Sequence, residues 1–255
     1  MARGFACWHT ARLRGDRLTP LAPLVAALLA AQAGPPDYLL VSGPGEVVAR
    51  VVEAYGGEEA IRRNGAMVQE GEVTSVLGGQ DPVRLTRIFE RPGRLRVTVS
   101  YPGSQGQEQR VVDGPRAWRD GEEVSGTPSH RAMELQAARL DLPFLLLEGR
   151  DRVVDGGEVV ADGRRLHVLT LPLGAETSLT VEIDVETARV VRSITRLRSP
   201  RVNLEFVTVY LDHRKVSGVL VPFREVNQAQ GRRTGTTVLQ RVEFLREAPT
   251  GAFRP

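Results

Sequence analysis

Hydrophobic residues recur with two different periods along this chain, and the period changes at Met67. Before it, apolar residues fall at i, i+1, i+4, i+5 and i+8, on one face of a helix: Val47, Val48, Val51, Val52 and Tyr55. Gly56-Gly57 interrupts this pattern, and Asn64-Gly65 is typical of a helix C-terminus. We therefore expect one amphipathic N-terminal helix with a weak point at its centre.

From Met67 onward apolar and polar residues alternate, which is typical of strands with one buried and one solvated face. The clearest alternating segments are residues 94–101, 179–184, 202–206 and 238–244. In the last of them, Val238, Val242 and Phe244 are expected on the buried face. Gly-rich and Asp-Gly pairs separate the segments at short, regular intervals. The pattern predicts about eleven strands in an antiparallel meander.

A segment in the middle of the chain breaks this alternation. Thr127-Pro128-Ser129 can begin a helix, Asp141-Leu142-Pro143 ends it, and Phe144 to Leu147 form an apolar plug without polar residues. A large antiparallel sheet with one apolar face must close on itself or be covered by helices. We therefore predict a mainly β fold in one domain, with a strongly curved antiparallel sheet covered by the N-terminal helix and the inserted helix.

The first 33 residues have the layout of a secretory signal peptide. A stretch with four arginines precedes an uncharged run from Leu18 to Ala30, and a small-x-small cleavage site ends at Ala33. The uncharged run is shorter than the about 20 residues that span a bilayer; an uncleaved membrane anchor is the alternative. We expect cleavage after Ala33, a flexible leader over residues 34–44, one domain over residues 45–255 and a periplasmic location.

The composition changes once the signal peptide is removed. The 255-residue chain has a formal net charge of +3, and this segment takes away four arginines and one aspartate, which leaves +3 − (4 − 1) = 0. A nucleic-acid-binding domain keeps a basic surface, so no nucleic-acid partner is expected. The single cysteine, Cys7, leaves as well, which excludes disulfides and thiolate metal sites. We expect a monomer with no metal or other cofactor.

No catalytic pattern emerges from the remaining residues. The histidines after the signal peptide lack metal-ligand spacing, and His167 is expected to be an ordinary outward-facing residue on a strand. Asp212-His213 could be half of a catalytic relay. Such a relay also needs an activated serine, yet the G-x-S-x-G pattern is absent and Ser217 lies in a turn-like Val-Ser-Gly. We therefore expect that the protein is not an enzyme.

Six phrases in the same order resemble those of the outer-membrane lipoprotein-sorting (LolA/LolB-like) superfamily. They include matches to its A-x-G-G-x-E helix, its R-P-x-x-x-R-V hairpin, its D-G-x-x-x-W turn and its Y-x-x-x-x-G-x-x-x-P segment. The matching residues are Glu53–Ile61, Arg91–Val97, Val112–Trp118, Ile183–Thr187, Tyr210–Phe223 and Phe253–Pro255. The resemblance runs from about residue 45 to residue 255 and identifies the chain as a divergent LolA-like member.

The resemblance implies an unclosed β-barrel with helices as a lid over an apolar cavity. It also implies a periplasmic carrier or chaperone that binds lipid, or the acyl chains of lipoproteins, during transport to the outer membrane. The alternative is a non-carrier binding module: a lipid or lipoprotein sensor, or an accessory subunit whose partner is an inner- or outer-membrane envelope protein. A cavity that binds through apolar burial alone needs no short motif, because each buried methylene contributes about 0.8 kcal/mol.

Alternation and the inserted segment together select the residues expected to line the cavity. They are Val97, Val99, Trp118, Met133, Leu135, Phe144, Val181 and Phe206. Trp118 is the only tryptophan after the signal peptide, and tryptophan more often anchors a core than a ligand. The alternative for the whole set is a core packed without any cavity, since a cavity wall and a core need the same residues.

Overall fold

The computed structural model describes residues 43–76, 81–102, 106–200 and 202–255. The predicted signal peptide and residues 34–42 of the predicted leader lie outside these ranges. Within the described part of the chain, no helix is long and apolar enough to cross a membrane.

Four α-helices, one short 3₁₀ helix and thirteen strands are formed by the described residues. The helices are α1 (Pro44–Ala54), α2 (Glu58–Arg63), α3 (Pro128–Ala138) and α4 (Leu142–Gly149), with the 3₁₀ helix at Arg150–Arg152. The strands are β1 (Ala66–Ser75), β2 (Val83–Glu90), β3 (Arg94–Ser100), β4 (Gln107–Asp113), β5 (Arg116–Arg119), β6 (Glu122–Glu123), β7 (Val154–Ala161), β8 (Arg164–Pro172), β9 (Thr177–Asp184), β10 (Val190–Arg198), β11 (Asn203–Val216), β12 (Val219–Ala229) and β13 (Arg232–Leu245).

All thirteen strands belong to one antiparallel sheet, in the order β6-β5-β4-β3-β2-β1-β13-β12-β11-β10-β9-β8-β7. Strands β6 and β7 are its two edges, so the sheet is not closed into a barrel. The predicted mainly β architecture with an unclosed barrel is confirmed. The sheet has more strands than the about eleven expected, because β5 and β6 are too short to show alternation and β7 is exposed on both faces.

The helices pack on one face of this sheet, which we call the covered face. Helices α1 and α4 pack over β8 to β10, where Val51 and Leu146 belong to one buried hydrophobic cluster with the strand residues Leu169, Leu179 and Val181. Helix α3 contacts β3, β4 and β5 in one arm of the sheet and β10 in the other. The sheet therefore curves around α3, and the covered face becomes the inside of the fold.

The predicted N-terminal helix is interrupted completely, and two separate helices, α1 and α2, result. Gly56 and Gly57 have φ angles of +114° and +86°, which side-chain-bearing residues rarely adopt. At Gly56 the backbone also passes close to the turn between β11 and β12, because a Cβ atom there would lie 2.2 Å from the carbonyl oxygen of Gly218. The expected weak point is thus a sharp turn that only glycine fits.

The apolar plug after Pro143 forms a helix of its own, α4, which the sequence pattern did not predict. Pro143 lies in its first turn, where a missing backbone N–H costs no helical hydrogen bond. Proline was interpreted only as the end of the preceding helix. It begins the next one as well.

Two inward or outward assignments were wrong. Val238 is 46% exposed, since β13 shifts register against β1 between Arg241 and Leu239 and this bulge turns Val238 to the opposite face from Val242. His167 was expected to face outward, but it is 3% exposed on the covered face. Its Nε2 lies 2.8 Å from Oδ1 of Asp155, and this partner makes burial of the imidazole tolerable.

Candidate ligand-binding cleft

A cleft of about 330 Å³ lies inside the curved sheet, next to α3. We call it the interior cleft. Its first wall comes from β1 to β3 and the residue after them. Apart from Ser75 and Arg87 this wall is apolar: Val73, Val83, Leu85, Leu95, Val97, Val99 and Tyr101. Its second wall comes from β10 to β13 and is largely polar: Thr195, Thr208, Asn227, Gln228, Thr234 and Thr237. The inside of the curved sheet is therefore not a close-packed core, and its lining is not uniformly apolar.

Strand register explains why one wall is mainly apolar and the other mainly polar. Leu85 on β2 pairs with Val99 on β3, so the inward positions of neighbouring strands stand side by side. On the other wall, Thr208 Oγ1 donates to Asn227 Oδ1 at 3.1 Å, and Asn227 Nδ2 donates to Thr237 Oγ1 at 3.4 Å. These bonds link β11, β12 and β13 and satisfy the polar groups within the sheet.

A buried ion cluster lies at the inner end of the interior cleft, where Arg87 and Arg139 line the cleft and Glu225 lines a smaller neighbouring cavity. Glu225 on β12 is 2% exposed. Arg87 Nη1 and Nη2 donate to its two carboxylate oxygens at 3.1 and 2.9 Å, and Arg139 Nη1 donates to Oε2 at 3.1 Å. Burial alone would raise the pKa of Glu225, but the charges and hydrogen bonds of the two arginines outweigh it and lower this pKa to about 2. The carboxylate is therefore ionised throughout the physiological range.

The lowered pKa of Glu225 predicts a specific loss of stability in acid. Its folded-state pKa of about 2 lies below the ordinary value of 4.5, so the stabilisation is complete above pH 4.5 and is lost as the pH falls towards 2. We expect the free energy of unfolding, measured by urea titration at several pH values, to fall across this window. The Glu225→Gln variant should lose this part of the pH dependence; equal slopes for variant and wild type would contradict the assignment.

Arg139 separates the interior cleft from a second cavity of about 60 Å³, which we call the small cavity. Arg139 and Leu140 line both spaces. The backbone carbonyl of Arg139 accepts a hydrogen bond of 3.5 Å from Tyr210, whose hydroxyl also bonds Ser193. The end of α3 is thus fixed to the sheet, and it holds the Arg139 side chain between the two spaces.

Arg91, at the rim of the sheet, ties the helices to the hairpin between β2 and β3. Its Nε and Nη2 donate to the two carboxylate oxygens of Asp141 at 2.6 and 2.8 Å, and its Nη1 donates to the carbonyl of Ile61 at 2.7 Å. The guanidinium also lies 3.8 Å from the centre of the Phe144 ring. One side chain therefore joins α2, the link between α3 and α4, and α4 itself.

A third space, of about 490 Å³, lies on the other side of α3 and is lined by Phe89, Pro92, Phe144 and Leu173 among others. We call it the outer cleft. It is bordered by ion pairs that are already complete, such as Arg94 with Asp113 at 2.8 Å. The Arg94 and Asp113 side chains are 38% and 42% exposed, whereas those of Arg87 and Glu225 are 4% and 2% exposed. The interior cleft, which combines a largely apolar wall with a buried charge cluster, is the stronger candidate for a ligand.

Comparison with known proteins bears on the fold. No family model matches the sequence, and a search of curated proteins found no significant match. A solved structure of a LolA superfamily protein from Nitrosomonas europaea superposes with a TM-score of 0.52 at 11% identity, over 83% of this chain and 97% of that one. The chain has a LolA-like fold. The predicted resemblance is thereby confirmed at the level of the fold.

Two further solved structures are similar with lower scores. A putative outer-membrane lipoprotein-sorting protein domain from Vibrio parahaemolyticus has a TM-score of 0.44 at 9% identity, over 77% of this chain and 94% of that one. A DUF1329 family protein from Desulfovibrio piger has a TM-score of 0.47 at 13% identity, over 84% of this chain and 97% of that one. The assignment of the LolA-like fold depends on the Nitrosomonas structure.

Half of the predicted cavity-lining residues lie along the interior cleft of this LolA-like fold: Val97, Val99, Leu135 and Phe206. Phe144 lines the outer cleft instead. Met133 is buried in the cluster beneath α3, and Val181 is buried in the cluster beneath α1 and α4. That any of these side chains contacts a ligand stays a prediction.

Trp118 lies on the face of the sheet opposite the helices. It packs with Val111, Ala252 and Phe253 near the C-terminus, and the guanidinium of Arg116 lies 4.7 Å from the centre of its ring. Its neighbour Ala117 is in the cluster beneath α3, and successive strand residues point to opposite faces. Trp118 is therefore separated from the interior cleft by the sheet itself.

The sequence analysis did not predict the ion cluster, although the sequence contains a pattern that indicates it. Arg87 stands between Leu85 and Phe89 at an inward position of β2, and Glu225 follows Phe223 at an inward position of β12. A charged residue at a buried position of an alternating strand needs a partner of opposite charge. Two such residues of opposite sign could have been matched on this ground.

Asp212 and His213, which could have been half of a catalytic relay, contact other groups in the structure. The Asp212 carboxylate accepts from Arg214 Nη2 at 2.6 Å, and the His213 ring packs edge-on against Tyr55 with a centroid distance of 6.4 Å. The aspartate is thus engaged by an arginine and the imidazole by an aromatic ring. Within the described ranges, no group of three His, Cys, Asp or Glu side chains could hold a metal ion.

Proposed function

We propose that this protein is a periplasmic carrier or chaperone that holds a lipid, or the acyl chains of a lipoprotein, in the interior cleft. The observation that carries the proposal is the largely apolar wall of β1 to β3 facing a cleft of about 330 Å³ inside a LolA-like fold. This volume lies within the range of about 300 to 1,000 Å³ typical of small-molecule sites. The signal-peptide pattern of residues 1–33 supports export to the periplasm.

Apolar burial supplies enough free energy for such a role. Ten buried methylene groups offer about 8 kcal/mol before the cost of association is subtracted. Because apolar burial is non-directional, it can hold an acyl chain without requiring particular contacts between the chain and the protein. Release then needs only a competing apolar environment, such as a membrane or a second carrier.

Filling the interior cleft tests this proposal. Val99→Trp places a large ring at the apolar wall, and we expect its affinity for a fluorescent fatty acid to fall by about tenfold or more, because the chain loses buried area. Binding is measured by fluorescence titration of the protein purified without residues 1–33. Thr98→Trp is the matched control: it is the next residue on β3 and points to the opposite face, so its affinity should stay unchanged. Equal affinity of both variants would contradict the site.

A second candidate function is a non-carrier module, either a sensor or an accessory subunit, that pairs with a membrane protein of the envelope. The edge strand β7 favours it, because Val154, Val159 and Val160 are exposed there and its outer backbone edge is unpaired among the described residues. An extended segment of the partner would add a strand to this edge. Isolation with one stoichiometric envelope protein and no bound lipid would support this function over the carrier.

A further inference from the structure

The ion cluster inside the fold is unbalanced. It holds two guanidinium groups, Arg87 and Arg139, and one carboxylate, Glu225, which gives a net charge of +1. Arg87 already binds both oxygens of Glu225, so these two residues form a complete pair by themselves. The surplus positive charge therefore belongs to Arg139, which reaches one of the same oxygens with a single nitrogen.

No neighbouring acid offsets this surplus. Among the described residues that line the interior cleft, Glu108 is the only carboxylate. Glu108 is engaged by Arg110 at 2.6 Å and by Arg119 at 3.4 Å. Asp141, close by in the chain, accepts both of its short hydrogen bonds from Arg91. An uncompensated buried charge is costly, and an anion that entered the cleft would reduce this cost.

Arg139 is also positioned to receive such an anion. Arg139 lines both the interior cleft and the small cavity, and its side chain is only 13% exposed. A guanidinium offers donors in a planar fork that matches a carboxylate or a phosphate, and low surrounding polarity strengthens the contact. Arg87 of the ion cluster pairs with Val97 on β3, and from that level the apolar wall continues through Val99 to Tyr101, which is about 13 Å of strand.

We propose that the interior cleft selects single-chain amphiphiles with an anionic head group. This inference rests on the proposed function. The head group binds Arg139 at the inner end, and the acyl chain lies along the apolar wall formed by β1, β2 and β3. The polar wall of β10 to β13 then faces the side of the ligand near its head group or the water that remains in the cleft.

The test compares palmitate with hexadecanol, which has the same chain length but an uncharged head group. We expect wild type to bind palmitate about tenfold or more tightly than hexadecanol, because a hydrogen bond to a charged group is worth that factor. Arg139→Gln should weaken palmitate binding more than hexadecanol binding and so lose this preference, and Arg139→Lys should retain part of it. Arg131→Gln on the same helix is the matched control, since Arg131 is exposed and bound to Glu134. It should behave as wild type.

Each outcome decides a different point. Equal affinity of wild type for palmitate and hexadecanol overturns the inference and leaves the proposed function intact, whereas failure of both to bind overturns the proposed function. Hexadecyl phosphate binding as tightly as palmitate supports an anionic head group in general. Inorganic phosphate that competes as strongly as palmitate overturns the inference in favour of a small-anion site. If Arg139→Gln does not fold, the wild-type comparison alone still decides.

Discussion

Replacing Glu225 with glutamine is expected to destabilise the protein by about 3–5 kcal/mol. The substitution keeps the size of the side chain but removes the only negative charge of the cluster, so Arg87 and Arg139 remain buried with no counter-ion. For a domain of this size the melting temperature should fall by about 10 °C. Urea unfolding and thermal melting followed by circular dichroism both measure the effect.

Two controls separate the ion cluster from a general loss of a carboxylate. Glu243→Gln removes an exposed acid that is paired with Arg241 on the same strand, and it should cost less than about 1 kcal/mol. Replacing the whole cluster by apolar residues of similar size, as Arg87→Met, Glu225→Leu and Arg139→Met together, should recover most of the stability. A Glu225→Gln protein as stable as wild type would show that the cluster is not a coupled unit.

Replacing Gly56 with alanine is expected to cost about 4 kcal/mol, from backbone strain and overpacking together. The φ of +114° strains any residue with a Cβ atom, and that atom would lie 2.2 Å from the carbonyl oxygen of Gly218. Relief requires the turn between β11 and β12 to move away from α1. The hydrogen bond from the Leu220 N–H to the carbonyl of Tyr55 would lengthen as a result.

Gly57→Ala is the matched control for this prediction. Its φ of +86° is also unfavourable, but the nearest atom to an added Cβ is a Glu53 side-chain oxygen at 3.9 Å. This substitution should therefore cost only the backbone strain, about 2 kcal/mol. Urea unfolding of both variants gives the difference, which measures the close approach between helix and turn. Equal losses of stability would mean that the turn moves aside freely.

The sequence pattern was sufficient for the sheet because alternation is a local property. Leu95, Val97 and Val99 on β3, or Leu179, Val181 and Ile183 on β9, reveal a strand with one buried face whatever its neighbours are. The bulge that turns Val238 outward was not predictable in this way. It depends on the register between β1 and β13, which lie about as far apart in the described chain as two strands can.

The same local property could not distinguish a cavity wall from a packed core. Val97 and Val181 are equally apolar and equally inward, yet Val97 faces the interior cleft and Val181 lies beneath α1 and α4. The two residues differ in what lies opposite them, an open cleft for Val97 and two helices for Val181. The alternation of apolar and polar residues carries no information about this. Trp118 shows a related limit, since the chain end that covers it comes from more than 130 residues later.

The ion cluster is the clearest case of information that is present in the sequence but not local. Arg87 and Glu225 are separated by 138 positions and meet because β1 and β13 bring the two halves of the chain together. Arg139 joins them from the end of α3, where nothing in the local pattern sets it apart from the exposed arginines nearby. Which charged residues pair with each other follows from the strand order of the sheet. The sequence motifs shared with LolA-like proteins indicated that order only in outline.

Together these features describe an interior with a defined polarity: an apolar wall, a polar wall and a charged inner end. This arrangement is more specific than a featureless apolar core, and it fits the proposed carrier, which would hold a chain through burial and a head group through charge. It also assigns different residues to the two tasks. Val99 belongs to the apolar wall and Arg139 to the inner end.

The most direct test of the carrier function is native mass spectrometry of the protein isolated from the periplasm of its own cells or an expression host. We predict one bound amphiphile per protein chain for wild type and for Thr98→Trp, and an empty protein for Val99→Trp. Wild-type protein that carries no lipid, and takes up no palmitate when it is offered, would contradict the carrier function.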